Sequence, residues 1–257
     1  MSWQASNLIA AKHCFFGAKG GVSQGKYASL NTNYNSQDSK VAVRQNFEII
    51  TAYFHKNYED MFTLNQGVSN TVVEANLPQQ FTITADGAVT TNPNILIGIK
   101  TADCAPVLLA DYKHGVIGAA HAGWRGAYRG VVENTVALML RKGAELKNIA
   151  AAIGSCMQQA SFEVQNDMRT TLLKENSANA KYFAIGKDSE HFYFDLSGYL
   201  EDKLHNLGID NVVNSHIDTY PAQNGYFSYR RNTHLGLISQ PKDYPTQYSF
   251  ICLERKK

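Results

Sequence analysis

Two short apolar runs, Ala105–Ala110 and Val116–Ala120, flank the turn-like stretch Asp111–Gly115 and constrain the fold more than any other part of the sequence. Each run is too short for a helix and is bounded by turn residues, so the pair reads as two buried strands of a hairpin. Cys104 stands where the first strand begins and His121 where the second ends. Antiparallel pairing brings both to the same end of the sheet, where a thiol and an imidazole can face one object. After His121 come Ala-Gly-Trp-Arg-Gly and then an amphipathic run with Val131, Val132, Thr135, Val136, Met139 and Leu140 on one face. The spacing predicts strand, turn and helix, with Asp103, Cys104, His121 and Arg125 gathered at a helix entrance suited to an anion. Taken singly, a Cys or His in an apolar run is more often a core residue. Here small neighbours (Ala102, Ala105, Ala120, Ala122, Gly123) leave room for a ligand.

On either side the pattern continues to alternate. Strands are expected over Leu8–Phe16, Phe62–Ala75, Gln80–Thr84, Asn148–Ile153, His191–Leu196, Asp210–Ile217, Gly225–Tyr229 and Gln247–Leu253. Helices are expected over Val41–His55, Val164–Glu175 and Ser197–Leu207, the last capped by Ser197 and ended by Gly208. Hairpins mixed with helices point to an α/β protein of α+β type, with a mixed β-sheet core flanked by helices in a single compact domain over residues 1–257. At 44% hydrophobic and 18% charged residues the composition is that of a globular chain able to bury a core. A net charge of +2 without a basic tract gives no bulk attraction for nucleic acid or membrane. Four scattered cysteines (Cys14, Cys104, Cys156, Cys252) with no CxxC read as free thiols. With no apolar stretch of spanning length and no leader pattern, the expectation is a cytoplasmic protein. No heptad or interface patch stands out, so a monomer is expected.

The runs Lys-Thr-Ala-Asp-Cys-Ala-Pro-Val-Leu-Leu-Ala-Asp and Ala-Ala-His-Ala-Gly-Trp-Arg-Gly-Ala resemble the signature of the purine nucleoside phosphorylase family of laccase-domain proteins. That family is also labelled multicopper polyphenol oxidase and peptidoglycan editing factor. Gly20–Ser23 with Tyr27–Asn31 resembles its N-terminal loop, Asp86–Thr90 its central loop, Ile153–Cys156 leading to Phe162–Val164 a third motif, and Phe227–Arg231 its C-terminal one. The resemblance implies purine nucleoside chemistry on adenosine, inosine or methylthioadenosine: phosphorolysis, with phosphate as co-substrate, and adenosine deamination at zinc. It also implies one Cys and two His around the zinc. Cys104 and His121 match two of these ligands, and the third position falls on Val68, in Gln66-Gly67-Val68-Ser69.

Valine binds no metal. A shifted alignment is disfavoured, because no other histidine stands in this strand; otherwise another group completes the site (His13, His55, His216, His234 or a carboxylate such as Asp103), or this chain no longer runs the family reaction. The other roles are Asp103 as orienter or proton acceptor, Ser23, Tyr27 and Asn31 as substrate-loop residues by resemblance, and Arg125 and Arg230 as anion contacts. Gln159 and Phe162 stand where they can approach a base. Two further readings remain open, an amidase of cell-wall precursors with Cys104 as nucleophile and a non-catalytic binding protein. A copper oxidase is disfavoured, because the eight histidines are scattered without a His-x-His pair.

Overall fold

A computed structural model describes residues 2–8 and 11–254. The central hairpin forms as its sequence dictates, with Ala105–Asp111 antiparallel to Val116–Ala122 and Pro106 opposite His121. Every residue of both strands is buried. The alternation of their side chains decides the architecture. Val107 and Leu109 point to one core, whereas Leu108 and Ala110 point to another.

The mixed sheet expected from the sequence is therefore two stacked sheets, each of six strands. One has the order Asn211–Asn214, Ile149–Ile153, Ala105–Asp111, Val116–Ala122, Gly87–Thr90, Val72–Glu74. The other has the order Ser2–Trp3, Ala11–Phe16, Gln247–Leu253, Leu96–Thr101, Met61–Asn65, Gln79–Thr84. Phe15, Phe62, Leu64, Ile97, Ile99 and Ile251 of the second sheet meet Leu108, Ala110, Ile117 and Ala119 of the first. Helices cover the outer faces. Lys40–Tyr53 packs Val43, Phe47 and Ile50 on the second sheet, while Val131–Arg141 and Leu196–Asn206 cover the first. A small sheet of Glu163–Gln165, His191–Phe194 and Phe183–Ile185 completes the fold.

Several sequence expectations shift by a few residues, and some change kind. The run Phe62–Ala75 divides into Met61–Asn65 and Val72–Glu74, which belong to different sheets. The loop between them crosses the end of the sandwich. Gly225–Tyr229 is not a strand: Ser228 caps a short helix, Tyr229–His234, by accepting from the Arg231 amide. Asp195, not Ser197, caps Leu196–Asn206, because its carboxylate receives the Gly198 amide at 2.8 Å. Val164 lies in a strand and the helix after it is Asn166–Glu175. The expected first strand is found as Ala11–Phe16; residues 9 and 10 of that expectation lie outside the described residues. After His121 a five-residue helix, Trp124–Tyr128, comes first, and Gly130 at φ 90° separates it from Val131–Arg141. The long helix thus starts too late for its N-terminus to serve Cys104 and His121. Leu140 faces outward.

Leu108→Ala, at the contact between the two sheets, is expected to cost about 2–5 kcal/mol, read as a lower urea midpoint with unchanged slope.

Candidate active site

Cys104, half-buried, precedes the first hairpin strand and His121 lies near the end of the second. Both line a cavity of about 200 Å³ at one end of the sandwich. Gly123 permits the close approach there. A Cβ at that position would stand 2.9 Å from the Cys104 sulfur and 4.0 Å from Cγ1 of Val68. Its φ of −70° is ordinary, so space and not backbone freedom requires the glycine.

Asp86, wholly buried, organises this end of the molecule. One of its carboxylate oxygens accepts from His121 Nδ1 at 2.8 Å and from the Val68 amide at 3.0 Å. The other accepts from the Ser69 amide and hydroxyl at 2.6 and 2.7 Å and from the Gly67 amide at 3.2 Å. Burial pushes the Asp86 pKa up, but the bonds from His121 and Ser69 outweigh it and hold the group at about 2. For His121 burial pulls downward, and the Cys104 sulfur and Asp86 together raise it to about 9. Asp86 therefore fixes the ring at Nδ1, and its surroundings favour the charged form.

Val68 lies in the cavity wall at φ 58°, a left-handed conformation unusual for a β-branched residue. The Asp86 bond to its amide holds it there. Its side chain stands beside Cys104 and His121 in the cavity wall.

A three-ligand zinc does not fit these residues. Cys104 and His121 supply two donors, and no group of three His, Cys, Asp or Glu that could hold a metal exists among the described residues. The proposed substitutes are engaged elsewhere. His13 bonds the Ala5 amide and the Ala11 carbonyl. His234 pairs with Tyr220, His55 lines a separate cavity, and His216 is no part of the wall around Cys104. Asp103 turns the other way: its oxygens accept from the Thr219 hydroxyl and the Arg230 amide, both at 2.7 Å. It caps the Tyr229–His234 helix from across the chain and does not line the cavity. Burial raises its pKa despite those bonds.

The other candidates separate. Ser23 and Asn31 both donate to the Asp38 carboxylate, at 2.6 and 2.9 Å, and are buried. Tyr27 donates to Asp243. These three shape the N-terminal loop, and it is Asn33 and Asn35 of that loop that reach the cavity. Arg125 lies over Trp124, 4.3 Å from the ring centroid. Arg230 bonds the Glu163 carbonyl at 3.0 Å. Both line a second groove, of about 360 Å³, which has no lining residue in common with the Cys104–His121 cavity. Gln159 bonds the carbonyls of Tyr182 and Tyr193, and Phe162 lines the arginine groove.

Sequence reasoning missed Asp86 as a site residue, and with it Lys100, Thr101, Gln66, Lys242 and Tyr244 of the wall. Two signals were available: an acid between Ala85 and Gly87, and a lysine in the otherwise apolar run Leu-Ile-Gly-Ile-Lys.

The family described as multi-copper polyphenol oxidoreductase laccase matches residues 12–240. A protein of Rickettsia prowazekii named purine nucleoside phosphorylase is 36% identical over 213 residues, covering 83% of this chain and 85% of its own. One of the same name from Deinococcus radiodurans is 34% identical over 230 residues, 89% and 87% of the two chains. A crystal structure of a Neisseria meningitidis protein, 29% identical, superposes with a TM-score of 0.85 over 99% of both chains. The YlmD protein of Geobacillus stearothermophilus, 20% identical, shares the fold at a TM-score of 0.86, covering 98% of this chain and 94% of its own.

Two outcomes are expected. The raised His121 pKa means its contribution to stability is complete below pH 6.5 and lost as pH rises through about 9, while that of Asp86 is lost as pH falls from 3.8 toward 2. Asp86→Asn is expected to cost on the order of 3 kcal/mol at neutral pH and to move the alkaline decline to lower pH, followed by thermal melts across the pH range. Val68→His supplies a third donor in a backbone region that histidine tolerates better. Zinc affinity, read by competition with a chromogenic chelator, is expected to rise about tenfold or more. An unchanged titration would show that residue 68 does not face the Cys104–His121 pair.

Proposed function

The chain belongs to the family described as multi-copper polyphenol oxidoreductase laccase, and on that premise we propose that it cleaves purine nucleosides by phosphorolysis. Relatives more than one-third identical across most of the chain carry the name purine nucleoside phosphorylase. The observation that carries the proposal is His121, held at Nδ1 by Asp86 and presented beside Cys104 in a cavity with no Asp or Glu among its described lining residues.

In the proposed reaction a phosphate oxygen bonds to C1′ of the ribose as the C1′–N9 bond breaks. The bonding pair leaves with the purine, which needs a proton at N7. His121 is the acid for that transfer, and Asp86 fixes its ring and stabilises its charged form. An acid placed in this way is worth about 10²–10⁴ in rate. Two protein donors do not make a catalytic zinc site, so no step passes through a metal. The proposal is accordingly limited to phosphorolysis, since deamination by a metal-bound hydroxide lacks its third ligand.

A second reading rests on one specific observation. Cys104, His121 and Asp86 stand in series as thiol, imidazole and carboxylate, the order used by cysteine nucleophiles. That order supports amide cleavage through an acyl-enzyme on Cys104.

Adenosine, inosine and methylthioadenosine incubated with the protein are expected to release free base only when phosphate is present, and to do so after treatment with a chelator. His121→Ala is expected to lower kcat at least a hundredfold while the fold is retained. Full activity in that variant would remove His121 from the reaction. Base release without phosphate would end the phosphorolysis reading. Amide hydrolysis abolished by iodoacetamide, with no nucleoside converted, would establish the nucleophile reading.

A further inference from the structure

The wall of the Cys104–His121 cavity has a one-sided charge. It is built from Asn33, Asn35, Asn65, Gln66, Lys100, Lys242 and their neighbours, with no Asp or Glu among the described lining residues. Lys100 lies near the end of the Leu96–Thr101 strand, and its backbone is clamped by Gln66. The Gln66 amide nitrogen donates to the Lys100 carbonyl and the Lys100 amide donates to Gln66 Oε1, each at 2.7 Å. Its ammonium makes no hydrogen bond or ion pair with any described residue.

Burial, then the nearby Lys242, push the Lys100 pKa down. A half-buried ammonium without a counter-charge is costly, and an anion bound in the cavity would supply one. Thr101, next in the chain, gives a second and independent sign. It is 3% exposed, it lines the same cavity, and its hydroxyl has no hydrogen-bond partner. A buried hydroxyl left unpaired costs about 1–3 kcal/mol, and a bound acceptor removes that penalty. At about 200 Å³ the cavity has room for a small polyatomic anion beside His121.

We propose that inorganic phosphate binds in this cavity, held by the Lys100 ammonium and the Thr101 hydroxyl with Lys242 at the mouth, and not between Arg125 and Arg230. The inference deepens the phosphorolysis reading by placing its co-substrate, and it rests on that reading for phosphate as the anion. The site lies next to His121, so the anion and the proton donor share one cavity. Arg125 and Arg230, by contrast, line a groove whose wall also carries Glu163 and Asp167, a mixed surface less suited to an anion.

Isothermal titration of the full chain with inorganic phosphate, without nucleoside, tests this directly. Saturable binding is expected, weakened at least tenfold in Lys100→Met and in Thr101→Val and retained within a few-fold in Lys100→Arg, with circular dichroism and melting temperature confirming the fold of each variant. Absence of phosphate binding to the unaltered protein would overturn the inference. So would unchanged affinity in Lys100→Met and Thr101→Val, or a loss confined to Arg125→Ala. Release of base from nucleosides separates this inference from the reading it rests on. Phosphate bound through Lys100 with no nucleoside converted upholds the site and ends phosphorolysis. Conversion with the same KM for phosphate in Lys100→Met upholds phosphorolysis and ends the site.

Discussion

The carboxylate of Asp86 is the interaction on which this end of the molecule depends. It is buried and charged, a state that needs several hydrogen bonds to persist. It receives them from three consecutive backbone amides, Gly67 to Ser69, from the Ser69 hydroxyl and from His121. A single group thus fixes the loop joining the two sheets, holds Val68 in a left-handed conformation, and orients the imidazole. The rest of the His121 ring is turned toward the Cys104 sulfur in the cavity wall. The same network helps to explain why the His121 pKa is raised although the ring is enclosed: burial pulls it down, and the Cys104 sulfur together with the Asp86 carboxylate outweighs that.

The rest of the site follows from where strand ends are brought together. Two six-stranded sheets stacked face to face present the starts and ends of their strands at a common rim. His121 comes from one sheet, Lys100 and Thr101 from the other and Cys104 from the bend that joins them, and all four line the same cavity. Val68 stands beside Cys104 and His121 and offers no donor, which leaves a thiol–imidazole–carboxylate series beside two lysines. Chemistry of anions and protons is what such a set supports best, in keeping with the proposed phosphorolysis.

Much of the fold was legible in the sequence because its strands are short, apolar and bounded by turn residues. The Gln247–Leu253 strand and the central hairpin are found where the pattern puts them. Errors came where one local pattern serves two ends. Phe62–Ala75 reads as one strand, but its two halves belong to different sheets. Phe227-Ser228-Tyr229 is apolar enough for a strand, yet the Ser228 cap turns it into a helix. Asp103 reads as a site residue beside Cys104, but the chain bends there with Asp103 at φ 86° and turns its side chain away from the cavity. Its side chain crosses to Thr219 and Arg230 instead.

The sequence by itself determined that Cys104 and His121 share one end of a buried hairpin, since antiparallel pairing with a short turn leaves no other register. Only the tertiary structure decided that Asp86 fixes His121, that Lys100 and Thr101 enter the cavity, and that Arg125 and Arg230 belong to a separate groove. These depend on contacts between segments distant along the chain and on which face of a strand meets which neighbour. No local periodicity encodes such contacts, because they arise when the two sheets stack and their rims close on one another.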